Sequence, residues 1–476
     1  MRKATKLYIL LGVLIVVCAA AFAVSRYEQK KENIKNSGEV ILEIPTDSVT
    51  AVSWTNENGT FSFTKDEGWT YDDDEAFPVD ESKINDILAQ FESFAAAFSI
   101  EDVDDYSQYG LDEPVCTISI TAGESSYTIE LGDISKMDEE RYVSIGDGKA
   151  YLVEHDPLDE YDAVLSDMIL DDTIPEFDTV EQITFSGNEN YVITRDEDEK
   201  SICEDDIYFT DGKPLDTDNV DSYVSRIKNL SLTDYASYNV SDEELKIFGL
   251  DDPDITVELS YSKNDDEGNV EETGSFEVHF SQNRDELAAY EEALENDEDE
   301  LPSVTCYARL GDSQIVYEIS STTSYSDLTD VSYDTLRHQT LFTGDLSTVT
   351  SIDITLDGES YTFTYNPPED SDDDTEDEDS EGTWTYQDEE FAIGDFKSAL
   401  TAVTATDFTS EKPTDIEEIS VTLHLDNEDF PTFKLELYRY DGTNCIAVVD
   451  GESVAFVSRN ETVNLVEAVN EVTLGK

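Results

Sequence analysis

One order of strands, helix and turn recurs three times along the chain, which restricts the fold to tandem copies of a single supersecondary unit. Val49–Tyr71, Val180–Thr210 and Val349–Tyr386 each read as two alternating strands, a turn and a third, aromatic-bearing strand. An amphipathic helix is expected after each. In copy one, Asp80 stands at the N-cap position, and Ile84, Ile87, Leu88, Phe91 and Phe94 mark the apolar face. The pattern returns in register as Asp216 with Val220, Tyr223, Val224, Ile227 and Leu230. Copy three keeps Phe396, Ala399, Leu400 and Val403 but has no acidic cap in that frame.

The most specific motif follows the helix: Tyr109-Gly110-Leu111-Asp112-Glu113-Pro114 in copy one and Phe248-Gly249-Leu250-Asp251-Asp252-Pro253 in copy two. Its chemistry is structural. A short helix, opened in copy two by Ser241 and Glu244 as a capping box, ends at the aromatic residue; Gly takes the left-handed conformation, Leu folds back as a hydrophobic seal, and Pro forbids continuation. Strands Cys116–Ile120 and Ile255–Tyr261 then begin. Copy three offers only Pro413 and the strand Ile419–Leu425, without the glycine. Hairpins starting at Arg141, Cys306 and Cys445 close the three copies. Cys306 and Cys445 thus hold equivalent positions, which favours packing over a disulfide between them. The expected fold is α+β: three tandem units of antiparallel sheet with a packed helix, at residues 41–174, 175–342 and 343–476.

Ahead of them, Leu7–Val24 is an uncharged apolar run preceded by Arg2, Lys3 and Lys6. About 18 helical residues rise roughly 27 Å, close to the hydrocarbon thickness of a bilayer. The run is longer than a signal-peptide core and is read as a retained transmembrane helix, so that 1–24 forms the cytoplasmic end and anchor and 25–40 a linker. Ala21-Phe22-Ala23 keeps a cleaved signal open; a lipoprotein reading at Cys18 is weaker, because Val17 precedes it. Arg26, Lys30, Lys31 and Lys35 balance the charges before the helix. Orientation therefore rests on the long remainder, which is expected outside the cytoplasm.

The 113 acidic residues against 28 basic ones give a net charge of −85, which repels phosphate and excludes nucleic acid as a partner. Two inserts are especially acidic. Glu369–Glu381 holds ten acids in thirteen residues, and Asp285–Glu300 interrupts the closing hairpin of copy two. Both are read as solvated loops, with weak cation binding as the functional alternative. Asp216-Thr217-Asp218 is not an EF-hand start, since Val220 and Asp221 occupy its fifth and sixth positions.

No catalytic, cofactor-binding or metal-ligating residue is assigned. The cysteines form no Cys-x-x-Cys pair, and His155, His279, His338 and His424 are far apart in sequence. His279 and His424 fall on the polar faces of their strands and are expected to be solvated. Gly-Glu-Ser at 123, 358 and 451 reads as a turn rather than a nucleophile elbow. Neither a phosphate-binding loop nor a dinucleotide fingerprint occurs.

The order of anchor, tryptophan strand, Pro78-Val79-Asp80 helix start, Tyr-Gly-Leu-Asp-x-Pro and closing hairpin resembles an uncharacterised bacterial family known as a domain of unknown function. Residues 41–342 carry the resemblance, and copy three departs from it. The resemblance implies a membrane-anchored extracytoplasmic protein, encoded beside ABC-type transport components like those linked to gliding motility, and supplies no catalytic residue. The expected role is a non-enzymatic accessory or scaffold with the membrane and an envelope protein as partners and no cofactor. A surface module binding glycans or cations is the alternative.

Overall fold

The computed structural model describes residues 38–475 apart from 102, 138, 299, 320–321 and 369–381. The apolar run Leu7–Val24 and the insert Glu369–Glu381 lie outside the described residues. Among the described residues, no helix is long and apolar enough to cross a membrane. The chain forms four antiparallel sheets with several helices. Packing divides it into two compact units: one holds the residues through Thr173 with Leu232–Asp242 and Asp312–Glu318, and the other holds Ile174–Ser231, Glu243–Gly311 and the residues from Ile319 on.

In the first unit an eight-stranded sheet runs, edge to edge, Trp69–Tyr71, Gly59–Lys65, Val49–Asn56, Cys116–Ala122, Ser125–Ile134, Arg141–Ser144, Ala150–Val153 and Phe98–Ile100. Two meanders share the central pair Val49–Asn56 and Cys116–Ala122. Between the meanders, the helix Glu81–Ala89 carries the chain from one edge to the other. Strand alternation sends Val52 and Trp54 inward opposite Phe63 and Phe61. Trp54 stacks on Phe63 at 5.4 Å and meets Tyr161 edge-on at 5.7 Å. The Asp80 carboxylate accepts from the Ser82 N–H and fixes where the helix starts, while Ile84, Ile87 and Leu88 are buried beneath it.

The helix stops sooner than the apolar pattern predicts. Phe91 and Glu92 donate to Leu88 and Ala89, and this tighter turn swings Phe91 into the core. Phe94 opens a strand, Phe94–Ala96, that pairs with Glu39–Leu42 as a separate two-stranded sheet. Segments 232–242 and 312–318 complete the first unit: Tyr235 faces Tyr317 across a strand pair, and Tyr238 donates to Asp74 at 2.7 Å.

The second unit repeats this order. One sheet runs Lys213–Pro214, Tyr208–Thr210, Tyr191–Arg195, Thr179–Gly187, Ile255–Asn264, Val270–Gln282 and Cys306–Leu310. The other runs from Glu389–Phe391 through Thr383–Tyr386, Glu359–Asn366, Val349–Leu356, Glu417–Leu425, Thr432–Arg439, Asn444–Val449 and Glu452–Ser458 to Ala405–Phe408. Helices Thr217–Lys228 and Gly394–Thr401 hold the position of the first helix; Asp216 caps the former, and the latter has no side-chain cap. A C-terminal helix, Arg459–Thr473, buries Leu465, Ala468 and Val469 in the last core. Asp211-Gly212, Asp357-Gly358 and Asp450-Gly451 all have positive φ, the backbone of type I′ hairpin turns, and Gly123-Glu124 turns between the paired residues Ala122 and Ser125, so all three Gly-Glu-Ser sites are turns.

Gly110 and Gly249 sit at φ +68° and +75°, and buried Leu111 and Leu250 donate back to Tyr106 and Leu245 at 3.1 and 2.8 Å. Close packing adds a second demand for glycine. A Cβ on Gly249 would lie 2.4 Å from Ser281 Oγ and 2.5 Å from Arg284 Nε. Cys116, Cys306 and Cys445 are free and buried, and Cys203 is partly exposed.

The insert Asp285–Glu300 is not a solvated loop: Arg284–Glu295 is an α-helix. Asn283 caps it through the N–H groups of Asp285 and Glu286, whose charges suit a helix N-terminus, and Glu286 accepts from the Thr305 N–H at 2.7 Å. Leu287, Ala288, Ala289 and the glutamates are strong helix formers.

Candidate functional site

The site lies in the second unit, on the loop joining Tyr191–Arg195 to Tyr208–Thr210. Asp196 donates its N–H to Ile207 O at 2.8 Å and closes the loop at its base. Thr217, in the first helical turn, takes the Ile207 N–H on its hydroxyl and donates to Asp205 O. The loop is thereby pinned to the start of helix Thr217–Lys228. Within it, a turn from Cys203 O to Asp206 N brings Cys203 beside Asp206, and Ser201 Oγ donates to Asp206 Oδ2 at 2.7 Å. Ile202 packs into the core of the last sheet, which holds the tip of the loop.

His338 arrives from the segment leading into that sheet. Leu336 O accepts from the Asp216 N–H, Gln339 O accepts from the Ala405 N–H, and Thr340 bridges Thr404, so the backbone is held on both sides of the histidine. The imidazole reaches two carboxylates: Nε2 lies 2.7 Å from Asp206 Oδ1 and Nδ1 lies 3.1 Å from Asp216 Oδ2. Burial disfavours its charge, but the Asp206 hydrogen bond and the carboxylates of Asp206, Asp216 and Asp218 outweigh it and raise its pKa above the usual 6.5. The Asp206 side chain is 1% exposed.

Burial pushes the Cys203 thiol up, with Asp206 and Asp205 adding to the effect against a hydrogen bond from the Asp205 backbone. A neutral thiol is a weak nucleophile. As ligand types, however, Cys203, Asp206 and His338 belong together, with donor atoms all within 4.8 Å of one another. A cavity of about 550 Å³ opens beside Cys203 and Asp206, lined by Glu197, Glu199 and Glu204 and, from the loop between strands Glu417–Leu425 and Thr432–Arg439, Asp426, Glu428 and Asp429.

The domain-of-unknown-function family DUF4340 matches residues 69–253 and 211–427. This chain belongs to the DUF4340 family. The two overlapping matches cover most of the chain and include Cys203, Asp206 and His338. No curated protein matches this DUF4340 chain.

The other histidines serve local contacts. His279 Nδ1 lies 2.8 Å from Thr256 Oγ1, and His424 Nε2 lies 2.8 Å from Asp353 Oδ2. Both occupy the polar strand faces; His424, with its side chain 38% exposed, meets solvent as expected, whereas His279, at 17%, is largely enclosed. His155, with Glu154 and Phe94, lines a cavity of about 440 Å³ in the first unit. The cluster was missed in the sequence because 132 residues separate His338 from Asp206. Cys203-x-x-Asp206 was its one local signal.

Proposed function

We propose that this chain is an extracytoplasmic accessory or scaffold protein, anchored by Leu7–Val24 and working beside an ABC-type envelope transport system without catalysing a reaction. The observation that carries the reading is the repetition of one sheet order under a strongly acidic surface. Strands such as Val49–Asn56 and Val349–Leu356 bury alternate residues and leave Thr and Ser side chains on the other face. Tandem display of broad polar faces suits protein partners, and the net charge of −85 keeps the chain from anionic lipid and nucleic acid while attracting basic surfaces.

The test has two parts. Protease added to intact, wall-stripped cells should digest most of the chain and leave a short N-terminal piece; full protection until lysis would rule out the topology. Crosslinking in intact membranes followed by capture of the full chain should then recover transport components, and recovery of none would remove the accessory role. The cation-binding alternative draws support from the carboxylate-lined cavity beside Cys203.

A further inference from the structure

We propose that Cys203, Asp206 and His338 form a zinc site that staples the loop of the second repeat to the connector leading into the third. The donor set comes first: thiolate, imidazole and carboxylate together suit zinc, whereas calcium takes six to eight oxygens. Their donor atoms lie within 4.8 Å of one another, and ligands around tetrahedral zinc sit roughly 3.3–3.7 Å apart, so closing on the ion needs only small side-chain shifts.

A second, independent feature is the shell behind the ligands. Asp216 Oδ2 lies 3.1 Å from His338 Nδ1, where it would accept the proton and leave Nε2 facing the ion, the usual carboxylate–histidine–zinc relay. Ser201 Oγ donates to Asp206 Oδ2 and leaves Oδ1 for the metal. Asp216 is itself fixed as the helix N-cap, accepting from the N–H groups of Asp218 and Asn219. The backbone on both sides of His338 is tied down by Leu336, Gln339 and Thr340, so the ligand is preorganised.

In the metal-free chain Nε2 of His338 lies 2.7 Å from Oδ1 of Asp206. Zinc binding displaces the Cys203 thiol proton and requires an unprotonated Nε2 on His338, so affinity falls at low pH. Cys203 and Asp206 also line the acidic cavity, which gives a cation access to the site. Glu197, Glu204, Asp426 and Asp429 raise the local cation concentration there without supplying a rigid set of oxygens. The proposal stands apart from the accessory role, since it concerns how two repeats are joined.

The full chain, solubilised in detergent, reduced and stripped with a chelator, is titrated with Zn²⁺ and with Co²⁺. One equivalent of each should bind, the Co²⁺ form should show thiolate-to-cobalt charge transfer, and excess Ca²⁺ or Mg²⁺ should not displace the ion. Zinc should also protect Cys203 from alkylation, read by mapping each labelled site; among the described residues the other cysteines, Cys116, Cys306 and Cys445, are buried. Cys203→Ser should abolish the charge-transfer band. Asp216→Asn keeps an N-cap side chain but loses the carboxylate, and should weaken zinc about 10- to 100-fold. Absence of charge transfer in the unmutated chain, equal displacement by calcium, or protection mapping to another cysteine would each overturn the site, whether or not a variant folds.

Discussion

The imidazole Nε2 of His338 lies 2.7 Å from Oδ1 of Asp206, a residue 132 positions earlier whose side chain is almost wholly enclosed. The contact joins the loop of one sheet to the segment that enters the next. In chelator, where no metal contributes, His338→Ala leaves the Asp206 carboxylate with Ser201 Oγ as its side-chain donor. The loss should be about 2–3 kcal/mol, toward the lower end for a buried pair because His338 is 22% exposed. Adding Asp206→Asn should recover part of it, as the stranded charge is gone. Denaturant midpoints of the single and double variants measure both effects.

Gly249 and Gly123 both have positive φ but differ in surroundings. At Gly249 a Cβ meets Ser281 and Arg284 at 2.4–2.5 Å, whereas at Gly123 it meets open space. Gly249→Ala should therefore cost about 2–3 kcal/mol, from strain plus overpacking, and Gly123→Ala about 1 kcal/mol, from backbone strain alone. Paired denaturant melts of the two variants test the difference; equal losses would mean that packing against Arg284 adds nothing.

Asp105 begins the motif in the first unit by accepting from Ser107 Oγ and N–H at 2.7 and 3.0 Å, and these bonds hold its pKa below the ordinary 3.8. A carboxyl whose folded pKa is depressed stabilises the fold above its unfolded value. That contribution is lost as pH falls from about 3.8 through the lower folded value. Asp105→Asn keeps an acceptor that does not titrate. The variant should lose less stability than the parent on acidification through this window, with no change in slope near neutrality, as read from denaturation at a series of pH values.

Asn366 pairs with Thr383, so the strands on either side of Glu369–Glu381 are already in register. Replacing that segment with a short Asn-Gly turn should leave the sheet intact. Shorter closure saves about 0.6 kcal/mol per halving of loop length, and removing ten like charges relieves repulsion most at low salt. The thermal midpoint should rise slightly, and more so in dilute buffer. A fall of several degrees would assign the segment a part in folding.

Local signals carried the sequence reading a long way. Alternation placed Val49–Asn56 and Val349–Leu356, a 3.6-residue period with Asp80 or Asp216 placed the helices, and Gly-Leu before Asp-x-Pro placed the left-handed caps. Each depends on residues within a few positions of one another, where propensity, capping and pleat act directly. The acidic helix Arg284–Glu295 was equally local but was obscured when charge was weighed above helix-forming side chains.

What lay beyond the sequence was set by contacts distant along the chain. The short edge strands Phe98–Ile100 and Ala405–Phe408 hold too few residues to show a period and form because a neighbouring strand offers its free edge. The early end of the first helix follows from the pull of the core on Phe91. His338 shares no spacing with Cys203 and Asp206, because tertiary packing alone closes the gap between the loop and the connector. The sequence by itself determined the repeating unit, its turns and its charge, since these arise from neighbouring residues. Only the tertiary structure decided which distant polar groups meet, because hydrophobic burial is indifferent to the polar residues it brings together.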